Sequence, residues 1–316
     1  MSLKTITKLA CFVISLFVVM AGLSSCSGIF ETSGIDDNAS PYKVPEILAR
    51  INSGEINESS GLAVSRCQSD VFWTHNDSGG GPFVYAFNSA GKTLGVWRVA
   101  EATNVDWEDM ATIAAADGKC YLYMGDIGDN EKKREYLTIY RFPEPSTTTN
   151  AANLSRETAI STEKVEVLRF KYPNERSNAE ALLVNQVSGA IYVVTKSQNG
   201  PAQVFALEAN FNTGEVSAAT KVADVSLPAS PVGQVTGGAI SPDGKRLVLC
   251  DYSAGYEFNL SSNSNEFDEV WPQKPTRFNL GPRFIGESVA FGTDSSTVFA
   301  TTENADAPLI RVERKK

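Results

Sequence analysis

The chain has 316 residues, of which 42% are hydrophobic, and a formal net charge of −9. The apolar fraction is enough for one packed domain or two smaller ones. The acidic excess argues against nucleic acid as a partner, because phosphate contacts need clustered Lys and Arg. It permits cationic ligands or divalent metals, although solubility alone would also explain it. With a single His, the common zinc sites are disfavoured.

Residues 1–25 have the pattern of a signal peptide. Lys4 and Lys8 precede an apolar stretch over residues 9–23, which fits the hydrophobic region of a signal peptide and is short for a membrane span. The stretch ends in Leu23, Ser24, Ser25 and Cys26. These residues resemble the lipobox of bacterial lipoproteins, which implies cleavage before Cys26 and lipidation of that cysteine. An ordinary signal peptide and an uncleaved anchor are the alternatives.

Residues 26–42 are rich in small and polar types, a composition that suits a flexible tether between lipid and domain. Ser27 follows the cysteine, and in lipoproteins the absence of Asp at this position implies transfer to an outer membrane. We therefore expect an exported protein that is lipid-anchored in the bacterial cell envelope. The membrane that holds the lipid on Cys26 would be its first partner.

A short phrase recurs five times after the tether, and each copy opens an apolar strand that a polar turn connects to a second one. The copies lie at 58–63, 106–111, 178–183, 235–240 and 285–291. A period of roughly 50 residues built from strand pairs is typical of a β-propeller, in which one repeat is one blade. The sequence predicts an all-β fold with a single five-bladed propeller over residues 43–316. A sixth blade hidden in the long second repeat and a two-domain β protein are the alternatives.

The last blade has only three predicted strands before the sequence ends. A further strand is available at residues 46–52, and its pairing with the C-terminal blade would close the ring. Closure matters because an open array of blades would leave unpaired strand edges. Two long polar inserts, 143–163 and 261–275, are predicted to be surface loops.

Two cysteines occupy matching turns of the first two predicted blades. Cys67 and Cys120 each lie between the first and second strand of their blade. Equivalent turns of adjacent blades can be close, and an exported compartment permits disulfides. A Cys67–Cys120 disulfide is therefore a candidate, whereas Cys250, inside an apolar strand, is expected to pack as a small hydrophobic residue.

The propeller arrangement predicts where a site should lie. The first strand of each blade lines the channel, and its start faces the same opening, here called the mouth, as the end of the second strand. Aligning the repeats places Glu108, Glu180 and Glu287 in one column. The residues expected at the mouth are Glu58, Asn76, Asp106, Glu108, Glu180, Lys196, Asp251, Glu287 and Glu303. Carboxylates gathered in this way must protonate, pair with a base such as Lys196, or hold a cation.

Calcium or another divalent cation suits such a set, because it prefers oxygen ligands from carboxylates and amides. The candidate metal ligands are Asp77, Glu108, Asp126 and Asp129. The alternative is that the Glu column is structural, since a channel-lining carboxylate can accept backbone N–H bonds from the neighbouring blade.

The segment 73–81 combines a polar cluster with three glycines, which suits a loop whose backbone approaches a ligand closely. His75 could act as a general base with Asp77 orienting it. A satisfied structural histidine is the alternative. The Gly-x-Ser-x-Gly elbow of α/β-hydrolases is missing from the sequence.

Together, the repeated strand openings, the segments 73–77 and 107–111 and the turn at 241–245 resemble bacterial lipoproteins of the TolB-like propeller superfamily. That superfamily includes calcium-dependent lactone and phosphate-ester hydrolases as well as binding scaffolds, and no ligand set can be matched residue by residue. The first hypothesis is a ligand, cation or partner bound at the acidic mouth. A divalent-metal-dependent hydrolase and an envelope interaction scaffold are the alternatives, so enzymatic activity stays open.

Overall fold

The computed structural model describes residues 40–147, 154–229 and 231–316. These residues form an all-β, five-bladed propeller, as the sequence predicts, with five sheets of four or five strands. The innermost strands of successive blades neighbour one another around the full ring. The hidden sixth blade and the two-domain alternative are therefore wrong. Residues 1–39, including the predicted signal peptide and Cys26, lie outside the described ranges.

The strands follow the predicted apolar runs closely. In the first part of the chain they are β1 (Glu46–Arg50), β2 (Ser59–Val64), β3 (Phe72–Asn76), β4 (Phe83–Phe87), β5 (Thr93–Arg98), β6 (Trp107–Ala114), β7 (Cys120–Asp126), β8 (Leu137–Pro143), β9 (Ile160–Ser161) and β10 (Glu166–Lys171). They continue with β11 (Ala179–Val184), β12 (Ile191–Thr195), β13 (Ala202–Leu207), β14 (Val216–Ala218), β15 (Thr220–Val225), β16 (Gly237–Ile240), β17 (Arg246–Cys250), β18 (Ala254–Asn259), β19 (Thr276–Asn279), β20 (Ser288–Phe291), β21 (Thr297–Thr301) and β22 (Pro308–Glu313).

Each blade runs outward from the channel. Blade 1 has the order β2-β3-β4-β5-β9, blade 2 β6-β7-β8-β10-β14, blade 3 β11-β12-β13-β15, blade 4 β16-β17-β18-β19 and blade 5 β20-β21-β22-β1. Apart from a short 3-10 helix at Phe267–Val270, the named elements are strands. Within the described part of the chain, no helix has the length and apolarity needed to cross a membrane.

The N-terminal strand closes the ring, as predicted. β1 pairs antiparallel with β22, and Glu46 lies opposite Arg311. The preceding residues are also packed: Tyr42 is 1% exposed and stacks on Phe278 at a centroid distance of 4.0 Å. Tyr42, which the sequence analysis assigned to the tether, thus packs against the propeller.

The two ends of the described domain lie on the face opposite the mouth. The third strand of each blade runs away from the mouth, so β22 ends at the far face. Tyr42 forms a bridge with Arg314, and Lys43 N–H donates to Glu313 O at 2.8 Å. The chain therefore enters and leaves the propeller on the side away from the acidic opening.

The described parts of both long inserts contain regular secondary structure. The insert after β8 contributes β9, which pairs in parallel with β5 and covers the outer edge of blade 1. β14 covers the outer edge of blade 2 in the same way. The insert at 261–275 contains the 3-10 helix, whose Phe267 packs with Tyr192 and Trp271. Covering strand edges and burying aromatic rings stabilises these segments.

A disulfide joins Cys67 to Cys120, with a Cα–Cα distance of 6.0 Å. It links the turns between the first and second strands of blades 1 and 2, on the face away from the mouth. Cys250 is a free, buried cysteine. Trp73 and Trp107, both 0% exposed, lie in the apolar cluster between the same two blades.

Candidate functional site: the acidic mouth

A repeated β-bulge forms the Glu column at the mouth. In blade 2, Trp107 pairs with Asp126 and Asp109 pairs with Gly125, so Glu108 is the extra residue. The same irregularity makes Glu180 the extra residue of β11 and Ser60 that of β2. A bulge re-aims the side chain of its extra residue. The aligned phrase in the sequence therefore encodes a repeated local geometry as well as a repeated strand.

Three carboxylates from two blades converge at one side of the mouth. Asp77 follows β3, Asp106 precedes β6 and Glu108 lies in the bulge of β6. One carboxylate oxygen of each lies within 4.8 Å of the others. We call these three residues the carboxylate triad. Asp106 belongs to it although the sequence analysis placed it only among the mouth residues.

Glu108 lacks a compensating partner. Its side chain is 6% exposed, and in the described ranges it makes neither a hydrogen bond nor an ion pair. Burial, followed by the charges of Glu180, Asp77 and Asp106, raises its pKa well above the usual value. Burial and the charge of Asp77 likewise raise the pKa of Asp106 to about 6. A buried, unpaired carboxylate is unfavourable unless a proton or a cation satisfies it.

Two carboxylates of the triad pack directly against Gly128. A methyl group at this position would overlap Glu108 Oε1 and Asp106 Oδ2. The backbone of Gly128 is fixed, because its N–H donates to Asp106 O at 3.1 Å and its carbonyl accepts from Arg134 Nη1 at 2.8 Å. The absence of a side chain at Gly128 thus lets Glu108 Oε1 and Asp106 Oδ2 lie this close to the backbone.

Asp126 and Asp129, both predicted metal ligands, have other partners. Asp126 Oδ1 accepts from Arg134 Nη1 at 2.7 Å and from Asp106 N–H at 3.0 Å. Asp129 accepts backbone N–H bonds from Lys133 at 2.8 Å and Arg134 at 3.1 Å. Their carboxylates hold the turn after β7 in shape, and neither belongs to the triad. Predicting both as metal ligands missed these competing donors.

Lys196 is paired with Glu180. Its ammonium group lies 3.2 Å from Glu180 Oε2 and 5.0 Å from the centre of the Tyr252 ring. Burial, the largest single influence, lowers the pKa of Lys196, but Glu180, Tyr252 and Glu287 together raise it above the usual value. Asn178 Nδ2 donates to Glu180 Oε1 at 2.6 Å. Of the Glu column, Glu180 is therefore satisfied whereas Glu108 is not.

The opposite side of the mouth carries a second acidic group. Glu287 is 7% exposed, and burial followed by the neighbouring Glu303 raises its pKa to about 9. Burial also raises the pKa of Glu303, with further contributions from Asp77 and Glu58. Burial and the nearby Glu303 carboxyl therefore both favour the protonated form of Glu287.

Two other predicted mouth residues shape the loops. Asn76 Oδ1 accepts N–H bonds from Asn57 at 3.1 Å and Glu58 at 3.2 Å. Asp251 accepts from Ala254 N–H at 2.7 Å and from the Tyr256 hydroxyl at 2.7 Å. Asn76 and Asp251 use these acceptor atoms to hold backbone turns at the ends of their second strands.

His75 is enclosed between blades 1 and 2. It is 0% exposed, lies edge-on to Trp107 at 5.7 Å, and packs its Nε2 against Gly61. Its Nδ1 is 3.0 Å from Asn76 O, and no hydrogen bond joins it to Asp77 among the described residues. Burial lowers its pKa to about 4. Its Nε2 has no hydrogen-bond partner among the described residues, so this geometry shows neither a general base oriented by Asp77 nor a fully satisfied structural histidine.

Asp109, absent from the predicted site, forms the floor of the mouth. It is 0% exposed and accepts N–H bonds from Met110 at 2.8 Å, Leu182 at 2.9 Å and Gly238 at 3.4 Å. It therefore links blades 2, 3 and 4. Backbone N–H groups were the expected partners of the Glu column, but in the described chain none donates to Glu108, Glu180 or Glu287. In the sequence, Asp109 is distinguished only by its position directly after Glu108.

Comparisons with known proteins give no family for this chain. No protein-family model matches the sequence, and no curated protein is similar to it. One similar solved structure is described as "Crystal structure of glucose dehydrogenase", with 12% identity and a TM-score of 0.45. A second, described as "glucose dehydrogenase", has 13% identity and a TM-score of 0.46. Each match covers 84% of this chain and 98% of the other. Similarity at this level carries no information on activity.

Proposed function

We propose that the protein is an exported, membrane-tethered propeller that binds a divalent cation, with calcium as the first candidate, at Asp77, Asp106 and Glu108. Through this cation it would bind a ligand at the mouth. The observation that carries the proposal is the buried Glu108 carboxylate, which has two further carboxylates beside it and no cationic partner among the described residues.

The geometry of the triad fits a hard cation. Calcium–oxygen distances of about 2.3–2.6 Å allow two ligand atoms of one ion to be up to about 5 Å apart, and the three oxygens lie within 4.8 Å of one another. An ion among them would replace carboxylate repulsion with attraction.

The cellular part of the proposal rests on the N-terminal sequence and the disulfide. The resemblance of residues 23–26 to a lipobox supports lipidation of Cys26, and the Cys67–Cys120 disulfide is consistent with an oxidising, exported compartment. Metabolic labelling with a radioactive or clickable fatty acid, compared between wild type and Cys26→Ala, tests the anchor. Equal labelling of both proteins would reject it.

Calorimetric titration of the soluble domain with Ca²⁺, Mg²⁺ and Mn²⁺ tests the metal site. We expect at least one ion to bind at micromolar concentrations, and Glu108→Gln and Asp106→Asn each to weaken binding by at least tenfold. Glu215→Gln, which removes the same charge from an exposed position on the far face, should leave the titration unchanged. Absence of binding by all three ions, or equal binding by all variants, would reject the proposal.

A hydrolase is the second candidate. It is favoured by the count of protein ligands, because three carboxylates leave coordination positions where a metal could activate water or polarise a carbonyl. A panel of lactones and phosphoesters tests this activity in the metal-loaded protein. Turnover that disappears in Glu108→Gln would identify a hydrolase, whereas metal binding without turnover would leave a binding protein.

A further inference from the structure

The Cys67–Cys120 disulfide on the far face is accessible from one side. Cys67 is exposed, whereas Cys120 is only 5% exposed. A thiolate from solution therefore reaches the sulfur of Cys67, and Cys120 is the sulfur that leaves. Exposed disulfides are the ones that exchange readily with thiols, since exchange requires access of the attacking thiolate to a sulfur atom.

A recess lies beside this disulfide. Its volume is about 420 Å³, and its lining includes Cys67, Cys120, Glu144, Lys119 and Glu163. Sites for small molecules commonly have volumes of about 300–1,000 Å³. Lys119 and Glu163 carry opposite charges, so charge alone does not decide which molecule enters. We call this space the disulfide recess.

Glu144 places a carboxylate beside both sulfur atoms. One of its oxygens and the two sulfurs all lie within 4.8 Å of one another. Glu144 Oε1 accepts hydrogen bonds from Trp73 Nε1 and Gln68 Nε2, each at 2.8 Å. Its Oε2 is buried and has no hydrogen-bond partner among the described residues. A buried acceptor without a partner calls for an explanation, and the proton of a thiol formed at Cys120 supplies one.

Contacts outside the disulfide hold Glu144 in place. Gln68 Nε2 also donates to Pro145 O at 2.9 Å, and Gln68 Oε1 accepts from Thr147 N–H at 2.8 Å. Trp73 is 0% exposed and lies in the apolar cluster between blades 1 and 2. Because none of these contacts uses a sulfur atom, we expect Glu144 to keep its position when the disulfide opens.

We propose that the Cys67–Cys120 disulfide exchanges with a small-molecule thiol in the disulfide recess, and that Glu144 transfers the proton of Cys120. The small-molecule thiolate attacks Cys67 Sγ and forms a mixed disulfide, while the bond to Cys120 breaks and its electron pair stays on Cys120 Sγ. A second thiolate attacks the mixed disulfide and releases Cys67. Two small thiols are thus oxidised to one disulfide, and their two protons are taken up by Cys67 and Cys120.

The reverse direction shows what Glu144 contributes. When a small-molecule disulfide has formed the mixed disulfide at Cys67, the Cys120 thiol must lose its proton before it attacks Cys67 Sγ, because the thiolate is the nucleophile. Cys120 is shielded from solvent bases, and the Glu144 carboxylate lies close enough to accept this proton. The chemistry takes place on the far face and does not depend on the proposed cation site.

Reduction of the native disulfide by 2-mercaptoethanol, followed by alkylation and mass spectrometry, tests direct attack. We expect the rate to rise in proportion to thiol concentration and to stay unchanged in dilute urea. Per thiolate, a folded protein with a single surface cysteine should react at least tenfold more slowly, because it does not fit the recess. A rate that is independent of thiol concentration or rises steeply with urea would overturn the proposal, and equal rates for both thiols would overturn the small-molecule class.

Single-cysteine variants identify the attacked sulfur. With glutathione disulfide as the probe, Cys120→Ser should form a mixed disulfide at Cys67 at least tenfold faster than Cys67→Ser forms one at Cys120. Peptide mass mapping assigns the modified residue, and the free, buried Cys250 is the internal reference. Equal rates, or faster reaction at Cys120, would contradict attack at Cys67.

Glu144→Gln tests the proton transfer, because glutamine keeps an acceptor oxygen for Trp73 and Gln68 but is not a base. In the reduced protein, glutathione disulfide should modify Cys67 at the wild-type rate, whereas attack by Cys120 on the mixed disulfide should slow at least tenfold at pH 7. The difference should narrow at pH 9, where hydroxide removes the thiol proton. Unchanged or faster closure would overturn the role of Glu144, since loss of its negative charge alone favours the thiolate.

Glu163→Gln is the matched control, because it removes the same charge from the lining of the same recess. It should close the disulfide at the wild-type rate, and equal slowing in both variants would reject a specific role for Glu144. Arg66, Lys119 and Glu163 are the other charged groups beside Glu144 or along the recess in the described structure. All three are retained in Glu144→Gln, and thermal unfolding verifies that each oxidised variant is folded.

Discussion

At the scale of single residues, Gly128 offers the sharpest test of the triad because it changes no charge. Gly128→Ala places a methyl group against Glu108 Oε1 and Asp106 Oδ2. The backbone φ of Gly128 is not positive, so alanine adopts it without strain. We expect calcium affinity to fall at least tenfold in a calorimetric titration, with little loss of thermal stability.

The matched control is Gly118→Ala. Gly118 lies in a far-face turn with φ +79° and open space around it, so this change strains the backbone without approaching the mouth. It should lower stability slightly and leave calcium binding intact. Wild-type affinity in Gly128→Ala would mean that calcium binding does not need the Glu108 and Asp106 oxygens in their positions beside this glycine.

His75 makes the folded state sensitive to acid. Its pKa of about 4 in the folded protein lies below the ordinary 6.5, so folding favours the neutral ring. The unfolded chain binds a proton first as the pH falls, and stability is lost between pH 6.5 and 4 by up to about 3 kcal/mol from this group. Above pH 6.5 the contribution is complete.

Urea unfolding of wild type and His75→Gln at pH 7, 6, 5 and 4 measures this effect. The variant should be less stable at pH 7, because it loses the contacts with Gly61 and Trp107. The gap between the two proteins should narrow toward pH 4. A gap that stays constant with pH would show that His75 does not titrate on unfolding.

At the scale of elements, the Cys67–Cys120 disulfide fastens blade 1 to blade 2. It spans a sequence separation of 53 residues, for which the chain-entropy model gives a stabilisation of about 4 kcal/mol and experience with native disulfides about 2–5 kcal/mol. Cys67→Ser with Cys120→Ser should therefore lower the free energy of unfolding by several kcal/mol. Wild type treated with a reductant should behave alike, and an unchanged midpoint in both cases would contradict the expectation.

Local sequence signals account for most of the elements but not for their accessory parts. The blades could be predicted because apolar strands, polar turns and a repeated opening phrase each have a local pattern. β9 and β14 could not, because two or three residues acquire strand geometry only through β5 and β10 of another segment. The packed start at Tyr42 was missed for the same reason: its partners, Phe278 and Glu257, are distant in sequence.

The sequence predicted which acidic residues meet at the mouth. It did not predict which of them are available as metal ligands. Alignment of the repeats correctly placed Glu108 beside Asp77 and Asp106 at the mouth. It could not show that Arg134 and backbone N–H groups satisfy Asp126 and Asp129. Whether an acid has a hydrogen-bond or ion-pair partner depends on side-chain positions in the folded propeller, which a local sequence pattern does not specify.

At the scale of the whole molecule, the described chain ends and the acidic mouth lie on opposite faces of the propeller. Tyr42 and Arg314 bring the two described termini together on one face, and the bulges direct the acids to the other. A protein immobilised by either terminus on a sensor surface would present its opening to the solution. Copies fixed side by side on such a surface would contact one another by their flanks and leave one another's opening free.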